Sequence, residues 1–156
     1  MQSVKGFHIG TAVELYAGVG VFTIPLSELA ERLVAVERNR SAAQDARANL
    51  DANGIKNVEV KSMSAEDALG ALMSEGAEPE LVVMDPPREG LSSVVCDKLL
   101  QMTPRQMVYI SCDPATLARD IKAILASGIY RLDKVTPLDM FPHTAHIECV
   151  CSLVKA

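Results

Sequence analysis

Seven short apolar runs alternate with amphipathic stretches along this chain, and that alternation constrains its fold more than any other feature. The runs fall at 11–16, 33–37, 57–61, 80–84, 106–111, 130–138 and 147–154, and each reads as a strand. Between the first five the period becomes helical. The spacing predicts helices over 21–32, 64–72 and 92–102, with two more set by caps. Asn39 starts one that runs through Ala42, Ala46 and Leu50 and ends at Asn53-Gly54 with a left-handed cap. Asp113-Pro114 starts the other, which extends to about 126 with proline at its first position. Strand 80–84 stops at Pro86-Pro87, since proline cannot donate to a ladder. Strands joined through helices imply right-handed crossovers and a parallel sheet covered on both faces. The last two runs have no helix between them and read as an antiparallel pair.

At 156 residues the chain is expected to be one domain spanning 1–156, able to bury roughly 70% of its unfolded surface. Repeats, linkers and low-complexity segments are absent from the sequence. Its apolar runs are too short to span a membrane, and Met1-Gln-Ser-Val-Lys-Gly-Phe-His8 lacks the apolar stretch of a signal peptide, so a cytoplasmic protein is expected. Four cysteines at 96, 112, 149 and 151 include no Cys-x-x-Cys pair and read as reduced thiols, with no metal site. The net charge of −5 excludes a stand-alone basic nucleic-acid binder. Either the substrate is small, or the part that grips a polyanion lies elsewhere.

Gly18 and Gly20 follow the first strand in Glu14-Leu-Tyr-Ala-Gly18-Val-Gly20, where the backbone must turn tightly beside a ligand. A dinucleotide fingerprint would place a third glycine at 23, but Thr23 stands there. The pattern suits a nucleoside-like ligand without a pyrophosphate, and S-adenosylmethionine fits. Glu37 ends the second strand nineteen residues after Gly18, placed to accept hydrogen bonds from both ribose hydroxyls. Tyr16, at the end of the first strand, is expected beside the same ligand. Asp67 follows the third strand, where an acid contacts an adenine amine or simply faces solvent. Asp85-Pro-Pro-Arg88 makes a stiff loop that holds Asp85 near a cationic sulfonium or a base.

Cys112 ends the fifth strand, just before a helix N-terminus, which favours an anion; the adjacent Asp113 opposes it. Even an ordinary thiol is about a few per cent thiolate near neutral pH, and cysteine is a strong nucleophile. Cys96, Cys149 and Cys151 read as buried structural thiols. Glu148 starts the last strand with its side chain on the opposite face from Cys149 and Cys151. His143 and His146 have no third ligand at suitable spacing and read as hydrogen-bonding or orienting groups.

Four motifs carry a family resemblance: Leu15-Tyr-Ala-Gly-Val-Gly-Val-Phe-Thr23, Asp85-Pro-Pro-Arg88, Ser111-Cys-Asp-Pro-Ala-Thr-Leu-Ala-Arg-Asp120 and Asp139-Met-Phe-Pro-His-Thr-Ala-His-Ile-Glu148. In this order they resemble the catalytic domain of the RNA uracil-5-methyltransferases, which make 5-methyluridine in tRNA or 23S ribosomal RNA. The resemblance implies a Rossmann-like class I S-adenosylmethionine-dependent methyltransferase, an α/β fold with a mostly parallel seven-stranded sheet and an antiparallel C-terminal strand. It also implies Cys112 as nucleophile, Glu148 as proton acceptor, and Tyr16, Glu37 and Asp85 as cofactor contacts.

That chemistry accounts for the residue types. Carbon 5 of uracil is a poor nucleophile until a thiolate adds at carbon 6. A base must then remove the carbon-5 proton so that the thiol can leave. Arg88 or Thr144 would hydrogen-bond the developing enolate oxygen, and the target base must leave its stack. The run Met140-Phe-Pro-His-Thr144 resembles ribosomal-RNA members more than tRNA members. The family's upstream cofactor-binding glutamine, β-barrel RNA-binding domain, inserted central domain and iron–sulfur cysteines are not found in this sequence. A fragment of a longer protein or a degenerate relative is therefore expected, with weak RNA binding on its own. Two other readings stand beside this one: a cofactor-binding domain that needs a missing segment or partner to hold RNA, and a methyltransferase for another base or a small molecule.

Overall fold

A computed structural model describes residues 9–139 and 147–156. Its seven strands form one sheet: β1 (Ile9–Leu15), β2 (Ala30–Val36), β3 (Val58–Lys61), β4 (Leu81–Met84), β5 (Gln106–Ser111), β6 (Tyr130–Leu138) and β7 (Glu148–Lys155). The spatial order is β3-β2-β1-β4-β5-β7-β6. β1 to β5 run parallel, and β7 lies antiparallel between β5 and β6. The strand order reverses between β1 and β4, which opens a crevice beyond their carboxyl ends.

Five helices connect the parallel strands: α1 (Thr23–Ser27), α2 (Arg40–Ala52), α3 (Ala65–Ser74), α4 (Ser93–Met102) and α5 (Pro114–Leu125). Side chains cap four of them, with Asn39, Ser64, Ser92 and Asp113 accepting from the first-turn N–H groups. The larger core cluster joins Leu15, Met84, Met107 and Tyr109 of the sheet to Leu69, Leu99 and Ile124 of α3, α4 and α5. A smaller one packs Leu26 of α1 against Leu33, Val83 and Val108. Cys96, Cys149 and Cys151 are buried thiols, as expected.

One expectation fails. The helix predicted over 21–32 stops at Ser27, and β2 begins at Ala30. Leu26, Leu29 and Ala30 imitate a helical stripe, but Ala30 pairs with Ile9 and Arg32 with Thr11 in the parallel ladder. Asn57 then ends the helix from a distance, donating 2.8 Å hydrogen bonds to the carbonyls of Ser27 and Ala30. Tertiary pairing overrides local propensity here.

Candidate active site

The glycine turn and the second-strand acid meet. Glu37 accepts the Gly18 N–H at 2.8 Å on one carboxylate oxygen and the Asn39 N–H at 2.6 Å on the other. Each oxygen keeps one lone pair for a further donor. Gly18 and Gly20 hold φ of +56° and +93°, a backbone conformation that residues with a Cβ adopt only with strain. Tyr16 also sits at φ +64°, costly for a bulky residue and held by the turn it begins. Burial, then repulsion from Glu66, pushes its phenol up to about 12. It therefore stays a neutral donor at physiological pH.

Tyr16 and Glu37 line a cavity of about 280 Å³ together with Met63, Glu66, Pro87 and Ser92. Glu66, rather than Asp67, faces this space. Asp67 is exposed and takes a 2.8 Å hydrogen bond from Ser64 within the first turn of α3. Glu66 accepts the Ser92 hydroxyl at 2.7 Å, which holds its carboxyl below the usual range. The sequence signal for Glu66 was its place just inside the Ser64 cap.

Thr23 stands where the dinucleotide pattern has glycine, and its hydroxyl donates to Glu14 at 2.5 Å. Glu14 is 2% exposed. Desolvation, opposed by the Thr23 hydrogen bond and reinforced by Asp85, raises its carboxyl from the usual 4.5 to about 7. The stability consequence has a definite sign. A raised folded-state value gives stability that is complete below pH 4.5 and is lost as the pH climbs through 7. Urea unfolding should show stability falling by about 3 kcal/mol across that window, and Glu14→Gln should flatten most of the slope. An unchanged slope in the variant would show that Glu14 ionises normally.

Asp85 follows β4 on the crest of the sheet. Although it opens to solvent, desolvation by the crowded crest, then repulsion from Glu148, pushes its carboxyl up to about 6. Cys112 sits at the apex of a turn closed on both sides: the Asp113 N–H donates to the Ser111 hydroxyl at 3.1 Å, which donates to the Asp113 carbonyl at 3.0 Å. The Asp113 carboxylate caps α5 through the Thr116 and Ala115 N–H groups. Those hydrogen bonds, with the nearby Arg88 charge, keep it below the ordinary range. Ser111 pairs with Cys149 across the β5–β7 ladder. Cys112 and Glu148, one step further out on each side, therefore stand level at the open end of the sheet, and both are half-buried.

Thus Tyr16, Gly18, Gly20, Glu37 and Asp85 gather at the carboxyl ends of β1, β2 and β4, with Cys112 and Glu148 beside them. His143, His146 and Thr144 lie outside the described residues. Among the described residues no cluster of three His, Cys, Asp or Glu side chains could hold a metal. No described helix is long and apolar enough to cross a membrane. The arrangement can hold a nucleoside by its hydroxyls and present a thiol and a carboxylate to a second ring.

The model of the tRNA (uracil-5-)-methyltransferase family matches residues 3–156. An uncharacterized RNA methyltransferase of Streptococcus mutans is 40% identical over 94% of this chain and 32% of its own length. The crystal structure of the Pyrococcus abyssi tRNA (uracil-54, C5)-methyltransferase, in complex with S-adenosyl-L-homocysteine, superposes with a TM-score of 0.78 at 33% identity. That match covers 98% of this chain and 36% of that one. NSun6 from Pyrococcus horikoshii shares the fold, with a TM-score of 0.80 at 16% identity over 99% of this chain and 50% of that one. The chain spans about a third of the length of the curated relatives it matches.

Proposed function

The chain belongs to the tRNA (uracil-5-)-methyltransferase family, and we propose that it holds S-adenosylmethionine beside Glu37 and methylates carbon 5 of a uridine in RNA through an adduct on Cys112. The observation that carries this reading is the β5–β7 register, which sets Cys112 and Glu148 level beside Asp85.

The residues fit the cofactor. The free lone pairs of Glu37 suit a pair of ribose hydroxyls, the glycine turn lets the backbone approach closely, and the cavity beside Tyr16 and Met63 takes a flat base. Asp85, just past β4, would answer the charged end. When bound, S-adenosylmethionine supplies an electrophilic methyl group. Cys112 adds to carbon 6 of uracil, forming a carbon–sulfur bond and making carbon 5 nucleophilic. Once carbon 5 has taken the methyl group, with the cofactor leaving as the neutral thioether, Glu148 would take the carbon-5 proton, the electron pair of that bond re-forming the ring double bond as the thiolate leaves.

Glu37→Ala should weaken cofactor binding, measured by calorimetry, by at least roughly 10- to 100-fold, because even one hydrogen bond to a charged group contributes roughly 1.5–3 kcal/mol. Unchanged affinity would remove Glu37 from the site. Affinity should also rise with pH through about 6, since a cation binds the ionised form of Asp85 better.

The run Met140-Phe-Pro-His-Thr144 supports 23S ribosomal RNA as the target, whereas the family description names tRNA. Transcripts of each, offered with labelled cofactor, decide between them. A second reading is favoured by the net charge of −5 and by the relatives' greater length: the chain binds cofactor but needs further segments to hold RNA. Cofactor binding with no transfer to either RNA would establish that reading for the isolated chain.

A further inference from the structure

A buried carboxylate to which no role has yet been given ties the two halves of this site together. Asp120, on α5, is 3% exposed. One of its oxygens accepts the Tyr109 hydroxyl at 2.8 Å from β5 and the Leu91 N–H at 2.8 Å from the loop after β4. The other takes the Arg119 guanidinium at 2.8 Å and 2.7 Å. Arg119 in turn donates to the Glu89 carbonyl at 2.8 Å. Between Glu89 and Leu91, Gly90 holds φ +78°, and a Cβ there would run into the Asp120 carboxylate. Two loop residues, Glu89 and Leu91, are thus fastened to one Arg–Asp pair, with Gly90 between them packed against it.

That loop is the segment from Asp85 to Leu91. Its prolines stiffen it, and the Gly90 N–H closes a turn onto the Pro87 carbonyl at 2.8 Å. Pro87 and Gly90 line the cavity. At the other end of the network, Tyr109 lies three residues before Cys112, and α5 begins two residues after it. Burial and the hydrogen bond to Asp120 raise the Tyr109 phenol, so it remains a donor. Burying a charge costs several kcal/mol, and packed apolar residues stabilise as well or better. Stability alone is a weak reason for an ion pair here. Its specific consequence is a fixed distance between the proline loop and the strand and helix that carry the thiol.

We propose that Asp120 is a positioning residue: gripping Leu91 and Tyr109 together, it sets the loop that carries Asp85 and Arg88 against the turn that presents Cys112. This rests on the reading of the cavity as the cofactor site. Asp120 is 3% exposed and does not line the cavity. It acts through Asp85, and misplacement of about an ångström is enough for losses of about 100-fold.

The test is a double-mutant cycle read by calorimetric binding of S-adenosylmethionine to the full 156-residue chain, below each variant's melting temperature. Asp120→Asn is expected to weaken binding roughly 10- to 100-fold alone but by less than about 3-fold in an Asp85→Ala background, because its effect passes through Asp85. Gly90→Ala, which pushes the loop off an intact Asp120, should give the same pattern. Should Asp120→Asn fail to fold, Gly90→Ala decides the matter on its own. Leu50→Ala, in the core of α2, should lower the melting temperature while leaving affinity unchanged. Folded Asp120→Asn or Gly90→Ala protein that binds like the unmutated chain, or losses that multiply fully with Asp85→Ala, would overturn the proposal. No binding by the unmutated chain would instead sink the reading of the cavity, and the positioning role with it.

Discussion

Cys112→Ala is expected to abolish the covalent complex that the unmutated chain forms with 5-fluorouracil-substituted RNA and S-adenosylmethionine. Fluorine on carbon 5 cannot leave as a proton does, so an adduct that reaches the methylated stage is trapped on the sulfur. Cys112 is half-buried at the tip of a hydrogen-bonded turn, whereas Cys96, Cys149 and Cys151 are buried. No second described thiol is therefore placed to substitute for it. Methyl transfer to ordinary RNA should fall by about 1,000-fold or more, as befits loss of the nucleophile. Cofactor binding should be retained, because no bond to the glycine turn or to Glu37 involves Cys112. The measurement is label transfer in a denaturing gel alongside calorimetry. Methyl transfer at the normal rate in Cys112→Ala would show that the enzyme works without a thiol adduct.

Glu148→Gln should give the complementary result. Glutamine preserves size and hydrogen bonding but cannot take a proton at neutral pH. Addition and methylation then proceed once, and the product stays attached to Cys112. Turnover should drop about 100- to 10,000-fold, the usual contribution of a positioned base. Covalent complex should accumulate on ordinary uridine RNA, where the unmutated chain leaves little. Asp85 lies close enough to Glu148 for the two charges to repel. Glu148→Gln should therefore also lower the Asp85 carboxyl and shift the rise in cofactor affinity to lower pH. Normal turnover in the variant would assign proton removal to another group.

These two experiments concern residues 36 positions apart in sequence, and the contrast shows what could be read without coordinates. The strand and helix order was legible because side-chain period and capping residues are local chemistry. Asn39 and Asp113 cap where they were expected to, and Gln106–Ser111 matches its strand to the residue. The helix over 21–32 was misjudged because its end is set by Asn57, about thirty residues downstream. Asp67 was left open between ligand and solvent, and its neighbour Glu66 went unnoticed, because sequence cannot say which of two adjacent acids a helix turns toward a cavity. The use of Thr23 was invisible for the same kind of reason, since its partner Glu14 lies in a different element.

Local patterns along the chain were enough for the fold class, the glycine turn, the acid that answers it and the motifs that place the chain in its family. Period, capping and turn chemistry act within a few residues, and a single chain displays them. The folded arrangement was needed to show that β7 inserts between β5 and β6, which brings Glu148 level with Cys112. It alone revealed Asp120 as the point where loop, strand and helix meet. Such contacts form when elements distant along the chain compete for the same edges and the same buried space. Their outcome depends on packing the whole molecule at once.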